Sequence, residues 1–228
     1  IFEKIKTSPI SDDKAKYSDL AFLMLQEYIE NEFQENLNQI IKRNLFSEIG
    51  VDLTYNPADV ISTKYITPTE IDNYFRYKEI HGYVHDMTAS MMGGIAGHAG
   101  LFGSAIEVAK MMQLFIQGGE YGYLKFLNKE IVDLFNTCHY CEYENRRGLG
   151  FDKPQIEGDG PTCGCLSNKS FGHSGWTGTY TWADPETDIV YVFLSNRSYP
   201  DGEAANKSKL VKENIRSEIQ RIIYQSLD

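Results

Sequence analysis

Basic residues are the scarce class in this chain: 22 Lys and Arg stand against 32 Asp and Glu, a formal net charge of −10. Phosphate backbones are held by a surplus of Lys and Arg, so nucleic acid is excluded as the expected partner. Long apolar runs are lacking as well. The longest candidates, 20–25 and 189–194, fall far short of the roughly 20 residues that span a bilayer, and no membrane span is expected. There is no basic n-region followed by an apolar h-region, and the first residue is Ile1 rather than Met. The expectation is therefore a processed chain or an excised piece. Internal repeats and low-complexity tracts are absent too. What is present is core-forming material: at 42% hydrophobic and 13% aromatic over 228 residues, disorder is excluded as the main theme, and one large domain or two small ones can form.

Helical spacing dominates the first half. Over 17–33, Leu20, Leu23 and Met24 share a face, and Leu37, Ile40, Ile41 and Leu45 do the same before a stop at Gly50, which predicts a helical hairpin. Residues 51–85 mix Pro57, Pro68, Asn and Thr with isolated aromatics and read as irregular connection and short pieces. Ser104 followed by Glu107 is a capping box, so a helix is expected from about Ala105 to about Gln117, with another over 128–136. Residues 138–170 read as loop or a poorly formed hairpin. From Thr177 onward, TGTYTWA and IVYVFLSN flank a Pro-containing turn and predict two antiparallel strands. Leu210, Val211, Ile215, Ile219, Ile222, Ile223 and Leu227 fall on one stripe of a terminal amphipathic helix. Together these give an α+β arrangement, with a mainly helical region at 17–136 and loop, two or three strands and a helix at 137–228. A sheet this small leaves an open edge, so self-association is expected.

The sharpest local feature runs from Gly172 to Gly178, a small-residue segment leading into a strand. Its plainest reading is a tight turn. A nucleophile elbow, Gly-x-Ser-x-Gly with Ser174 as nucleophile, fails at Trp176 and at the strand, where that motif needs a helix. A third reading takes His173-Ser174-Gly175 as a Lys-Thr-Gly-like triplet on an edge strand, where imidazole, hydroxyl and a backbone N–H face an acyl substrate together. That reading needs partners, and Tyr17-Ser18-Asp19 at the mouth of a helix supplies one. His98, in a glycine-rich run, sits either at an active-site rim or in backbone packing, the two weighing evenly. His81, His85 and Asp86 lack a third His at metal-binding spacing and read as a loop cluster; no metal is expected. Cys138, Cys141, Cys163 and Cys165 are open to a four-sulfur zinc site, disulfides or free thiols. The 15 tyrosines read as half-buried structural residues rather than a glycan surface.

Taken in order, YSDLAFLMLQEYIE, PTE at 68–70, GYVHD at 82–86, GGIAGHAGLFG at 93–103, RRGLGFD at 146–152 and FGHSGWTGTYTWADPE at 171–186 resemble the C-terminal part of the serine β-lactamase and penicillin-binding-protein-like family, in its class C and esterase-related branch. That family carries its nucleophile in an upstream Ser-x-x-Lys motif. The one formal match here, Ser11 to Lys14, lies in a polar stretch and reads as chance, so the resemblance implies that the nucleophile and the N-terminal half of the domain precede Ile1, and that the isolated chain is inactive. It implies Tyr17 as the proton-shuttling tyrosine, and Asp19 at a position usually held by Asn, where an ionised carboxylate accepts but cannot donate. It implies His173 in place of the triplet lysine, Ser174 as its hydroxyl, Gly175 and Trp176 lining the substrate with the Trp176 N–H as an oxyanion donor, and His98 at the rim. Imidazole, which titrates at about pH 6.5 when unperturbed, is mostly neutral at pH 7, so a fixed cation for a substrate carboxylate is lost. The implied protein is a serine acyl hydrolase of small-molecule or peptide amides or esters, periplasmic or extracellular, without cofactor and tied to cell-wall turnover. The rival reading is a non-catalytic module that keeps the fold and binds peptidoglycan-type ligands.

Overall fold

The computed structural model describes residues 1–9, 17–141, 145–155, 158, 160–202 and 209–227. The chain divides into two units, Ile1–Gly103 and Ser104–Asp228. The mixture of helices and small antiparallel sheets is α+β, as the sequence predicts.

In the first unit, α1 (Phe2–Lys6) precedes α2 (Leu20–Phe33), which ends on Gln34 in a left-handed conformation. Then α3 (Leu37–Ile41) starts with the Asn36 side chain accepting from Gln39 N at 3.0 Å. It passes through a π turn at Lys42–Phe46 into α4 (Ser47–Ile49) and stops at Gly50. The helical path runs on to the expected stop at Gly50, with Phe46 and Ile49 both buried along it. Ser11 to Lys14 fall outside the described residues.

The stretch expected to hold irregular connection and short pieces does so, and two of the pieces form a hairpin. Here β1 (Thr54–Tyr55) pairs with β4 (Leu101–Phe102), two 3-10 turns follow at Pro57–Asp59 and Thr63–Tyr65, and β2 (Pro68–Asp72) pairs with β3 (Lys78–His81). The hairpin is hidden from pattern reading because its inward positions are acidic: Glu70 and Asp72 are fully buried. Arg76 compensates them, its Nε 2.7 Å from Asp72 Oδ2 and its Nη2 3.5 Å from Glu70 Oε1. The same guanidinium donates to the carbonyls of Val84 (2.6 Å) and His85 (2.8 Å), tying the hairpin to the following loop. That loop leads to α5 (Met87–Met91).

The second unit opens with α6 (Ala105–Ile116), where Ser104 N donates to Glu107 Oε2 at 2.6 Å in the expected capping box. A short hairpin of β5 (Glu120–Tyr121) and β6 (Leu124–Lys125) leads to α7 (Lys129–Asn136). Three strands then form one sheet in the order β7 (Phe171–Ser174), β8 (Tyr180–Asp184), β9 (Ile189–Phe193). Its two faces are set by period-two alternation. Phe171, Ala183 and Val190 pack on Met112, Val108, Phe115 and Ile116 of α6. Tyr180, Trp182 and Tyr191 form the opposite cluster with Ile189, Phe193 and Ile223.

The terminal helix departs from expectation. Asn214, at φ 49, breaks it into α8 (Lys209–Lys212) and α9 (Ile215–Gln225). Ile222 and Leu227 of the expected apolar stripe are exposed, and the fully buried position is Gln220, whose Oε1 accepts from Tyr180 Oη at 2.9 Å and Cys163 N at 3.2 Å. A helix break rotates one half of the stripe relative to the other, and a polar Gln is recruited inward because buried donors need partners.

Candidate active site

Within the second unit, β7 is an edge strand whose ladder to β8 pairs Phe171 with Ala183, His173 with Thr181 and Ser174 with Tyr180. Gly172 faces the ring of Trp182, and a Cβ at that position would run into the ring and the Thr181 carbonyl. On its outer side Gly172 exchanges two hydrogen bonds with Asp152, at 2.8 and 3.1 Å. Antiparallel alternation therefore turns the peptide groups of Ser174 to that same outer side, one step past Asp152. The Asp152 carboxylate is itself clamped by Arg147 and by Arg146 Nη1, the latter at 3.2 Å. Asp152, the last residue of the RRGLGFD run, caps the strand edge short of His173.

His173 Nδ1 lies 2.8 Å from the Ser174 carbonyl. A carbonyl only accepts, so the proton is on Nδ1, and in the neutral ring Nε2 carries the lone pair. The turn that follows is fixed from several sides. Gly175 N donates to Thr179 O (2.9 Å), Gly178 N to Gly175 O (3.0 Å), and Ser195 Oγ to Gly178 O (2.9 Å). Trp176 is half exposed at its tip. Arg197 lies over the Trp176 ring, 5.3 Å from the centroid, and donates from Nε to the Trp176 carbonyl at 2.7 Å. Arg197 follows β9 in a stretch without a motif, and no pattern in the sequence marks it.

The other sequence-predicted residues belong to the first unit. Tyr17 is exposed just before α2. Ser18 Oγ accepts from Leu20 N at 3.2 Å, and Asp19, at the N-cap, accepts from Phe22 N through its carbonyl at 3.1 Å. The glycine-rich run is strapped to the same helix: Gln26 Oε1 accepts from Gly97 N at 2.9 Å, and Gln26 Nε2 donates to Ile95 O at 3.1 Å. A Cβ on Gly97 would sit 2.7 Å from Phe22 O, so the close approach requires glycine. The His98 side chain is 3% exposed and bonds through Nε2 to Asp86 Oδ1 at 2.9 Å. That oxygen also accepts from Ala89 N at 2.7 Å, making Asp86 the N-cap of α5. His98 chiefly, with backbone N–H groups, holds the Asp86 carboxyl below its usual range against the opposing effect of burial. His98 is thus an internal support of the loop.

His81 Nε2 bonds to Ile66 O (2.7 Å) and His85 Nε2 to Glu70 Oε2 (3.1 Å). Among the described residues no group of three or more His, Cys, Asp or Glu is placed to hold a metal ion. The four cysteines form two local disulfides, Cys138–Cys141 and Cys163–Cys165. No described helix is long and apolar enough to cross a membrane.

Residues 1–214 match the family model described as Beta-lactamase. The chain belongs to the β-lactamase family. Two relatives, both provisionally named D-alanyl-D-alanine carboxypeptidases, come from Escherichia coli K12 (32% identity, covering 86% of this chain and 49% of the relative) and Salmonella enteritidis PT4 (34%, 90% and 50%). The chain therefore spans about half the length of the curated relatives it matches. Among solved structures, a penicillin-binding protein from Bacillus halodurans superposes with a TM-score of 0.58 at 16% identity, over 86% of this chain and 56% of that one. A β-lactamase from Mycobacterium bovis gives 0.54 at 16%, over 90% and 64%. At such identities these neighbours speak to the fold, and they agree with the α+β reading.

Proposed function

We propose that the protein containing this chain is a serine acyl hydrolase that cleaves amide or ester bonds through an acyl-enzyme. Its site of action is periplasmic or extracellular, in cell-wall turnover, with D-alanyl-D-alanine carboxypeptidase action as the first activity to test. The observation that supports this most is the end of β7, where His173 and Ser174 stand on an edge strand whose outer peptide groups turn away from β8, in a chain of the β-lactamase family.

In this reading the serine is supplied by a Ser-x-x-Lys segment of the whole protein. Its Oγ attacks the substrate carbonyl, and its proton passes by way of the Tyr17 phenol oxygen to the departing amine or alkoxide. The oxyanion takes hydrogen bonds from the peptide N–H groups of Trp176 and of the serine. Water then attacks the acyl ester, its proton follows the same path back, and the acid product leaves with the serine restored. Ser174 and Gly175 align the substrate along β7, His173 offers Nε2 as an acceptor, and Asp19 presents an acceptor-only carboxylate. No metal or organic cofactor enters this scheme.

The test uses the whole protein, measuring release of D-alanine from an N-acyl-D-alanyl-D-alanine peptide and the burst from an activated ester. Tyr17→Phe and His173→Ala are each expected to lower kcat/KM about 100-fold or more while the fold, followed by circular dichroism, persists. Unchanged turnover in both variants removes the assignment. Binding of the peptide without turnover by the unaltered protein would favour a non-catalytic module that recognises peptidoglycan-type ligands.

A further inference from the structure

Both disulfides close very short loops, Cys138–Cys141 at a sequence separation of 3 and Cys163–Cys165 at 2. A crosslink restricts the unfolded chain more the longer the loop it closes, so neither bond gains what a long-range staple would. The loop around Cys163 is also held without its bond. Gln155 Oε1 accepts from Thr162 N (3.3 Å) and Thr162 Oγ1 (2.7 Å), and Gln155 Nε2 donates to Thr162 O (2.9 Å). Of the four cysteines, Cys165 is the exposed one, whereas Cys163 is buried.

Beneath this loop lie hydrogen-bond donors without acceptors. Gln220 Oε1 is filled by Cys163 N and Tyr180 Oη, but Nε2 of the same amide has no partner among the described residues, and neither has the indole Nε1 of Trp182. Both side chains are fully buried. Trp182 belongs to the cluster on which Leu166, the neighbour of Cys165, packs. A buried donor left unpaired costs free energy. A disulfide sulfur is a weak acceptor, whereas a thiolate is a full anion, and any group that stabilises the reduced form makes a disulfide easier to reduce. Arg216, its guanidinium 5.3 Å from the Tyr180 ring centroid, adds a cation that favours a thiolate. Asp184, held by Ser167 and by Tyr224 Oη (2.9 Å), adds an anion that opposes one.

We infer that Cys163–Cys165 is a redox-active site for a dithiol reductant, with Gln220 and Trp182 as the donors that receive the Cys163 thiolate. A thiolate of the reductant attacks the exposed Cys165 Sγ, the Cys163–Cys165 bond breaks, and Cys163 leaves with the electron pair. The second thiol of the reductant, as thiolate, attacks its own sulfur in the mixed disulfide and releases Cys165. The reductant departs as a disulfide, two electrons have passed to the protein, and the two protons given up go to Cys165 and to solvent. Cys138–Cys141 is the internal control. It follows directly on Thr137, the C-cap of α7, where the free carbonyls of the helix end oppose a thiolate. The inference stands independently of the acyl hydrolase reading.

The experiment titrates the whole protein with dithiothreitol, quenches with acid, alkylates, and reads each cysteine by peptide mass spectrometry. Cys163 and Cys165 are expected to open at about tenfold lower reductant than Cys138 and Cys141. Opening of Cys138–Cys141 first, or of both bonds together, overturns the inference. The second measurement uses Cys165→Ser, which leaves Cys163 as a single thiol, and follows its alkylation rate against pH. Burial alone would raise the midpoint above the value of about 8.5 for free cysteine; the donors are expected to bring it below that value. A midpoint at or above 8.5 overturns the inference. Neither measurement alters Gln220, so both stand whether or not a Gln220 variant folds. Adding Gln220→Met to Cys165→Ser, with the fold checked by circular dichroism, is expected to raise the midpoint, and an unmoved midpoint in the folded variant overturns the role given to the amide.

Discussion

Asp72 shows how one side chain can carry a local structure. Its buried carboxylate accepts from Tyr74 N (3.1 Å), Phe75 N (2.8 Å), Arg76 N (3.1 Å) and Arg76 Nε (2.7 Å). Burial opposes the charge, but the guanidinium and the backbone N–H groups outweigh it and hold the carboxyl well below the usual range. A depressed carboxylate pKa contributes stability that is present above the unfolded value near pH 4 and is lost as pH falls from there. Acid titration of stability should therefore be shallower in Asp72→Asn than in the parent, and equal slopes would contradict this. Arg76→Met removes the arginine that two buried acids share and should cost about 3–5 kcal/mol in denaturant unfolding. Lys153 is the opposite case. It is buried with Nζ donating to Lys169 O at 3.1 Å, and burial, only partly offset by Asp184, pulls its pKa down to about 8. A depressed ammonium pKa penalises folding below about pH 8, and the penalty fades as pH rises toward the unfolded value near 10.4. Lys153→Met is expected to stabilise the fold at pH 7 by about 1–2 kcal/mol, the gain shrinking by pH 10. A variant less stable than the parent at pH 7 would show that the bond to Lys169 O matters more than the charge.

At the scale of elements, local signals succeed where the chain satisfies itself locally. The Ser104 to Glu107 box starts α6 where the four residues alone predict it, and Ser104→Ala should cost about 1 kcal/mol, read as a shift in the denaturant midpoint at unchanged slope. The helix matters beyond its own stability because Met112 and its neighbours cover the face of the sheet that carries Phe171 and Ala183. The strands after Thr177 are equally legible from their aromatic and β-branched content. The β2–β3 hairpin is not, because Glu70 and Asp72 break the polar-out rule and are explained by partners outside the strand: Arg76 for both, Tyr74 Oη and His85 Nε2 for Glu70, and the turn's backbone N–H groups for Asp72. Nor is the terminal helix, where residue spacing places Ile222 inside and the break at Asn214 leaves it 66% exposed. For the candidate site, the His173 to Trp176 run was visible as a motif, whereas Arg197 acquires meaning only from the ring it covers.

At the scale of the molecule, the second unit ends its sheet at β9, and among the described residues no strand pairs with its outer edge. Exposed Ile222 and Leu227 add apolar surface on the terminal helix and the residues after it. Unpaired strand edges and apolar faces promote association, while a net charge of −10 opposes it by self-repulsion. The chain on its own is accordingly expected to self-associate in sedimentation velocity, more strongly at high salt, where the repulsion is screened. Ile222→Glu should weaken that association. A monomer at high concentration and high salt would mean that these surfaces do not drive contact.

Capping, periodicity and ordered short motifs are local properties of the chain, and they suffice for the α+β class, the positions of α2, α6 and α7, the strands around the 184–188 turn, and the family. Which charges go inside, where the terminal helix breaks, that Asp152 covers the edge of β7 as far as Gly172, and that Arg197 lies on Trp176 follow from the folded chain alone. Each of these depends on groups distant in sequence meeting in space, where the cost of burying a polar or charged group is offset by a partner that no local window contains.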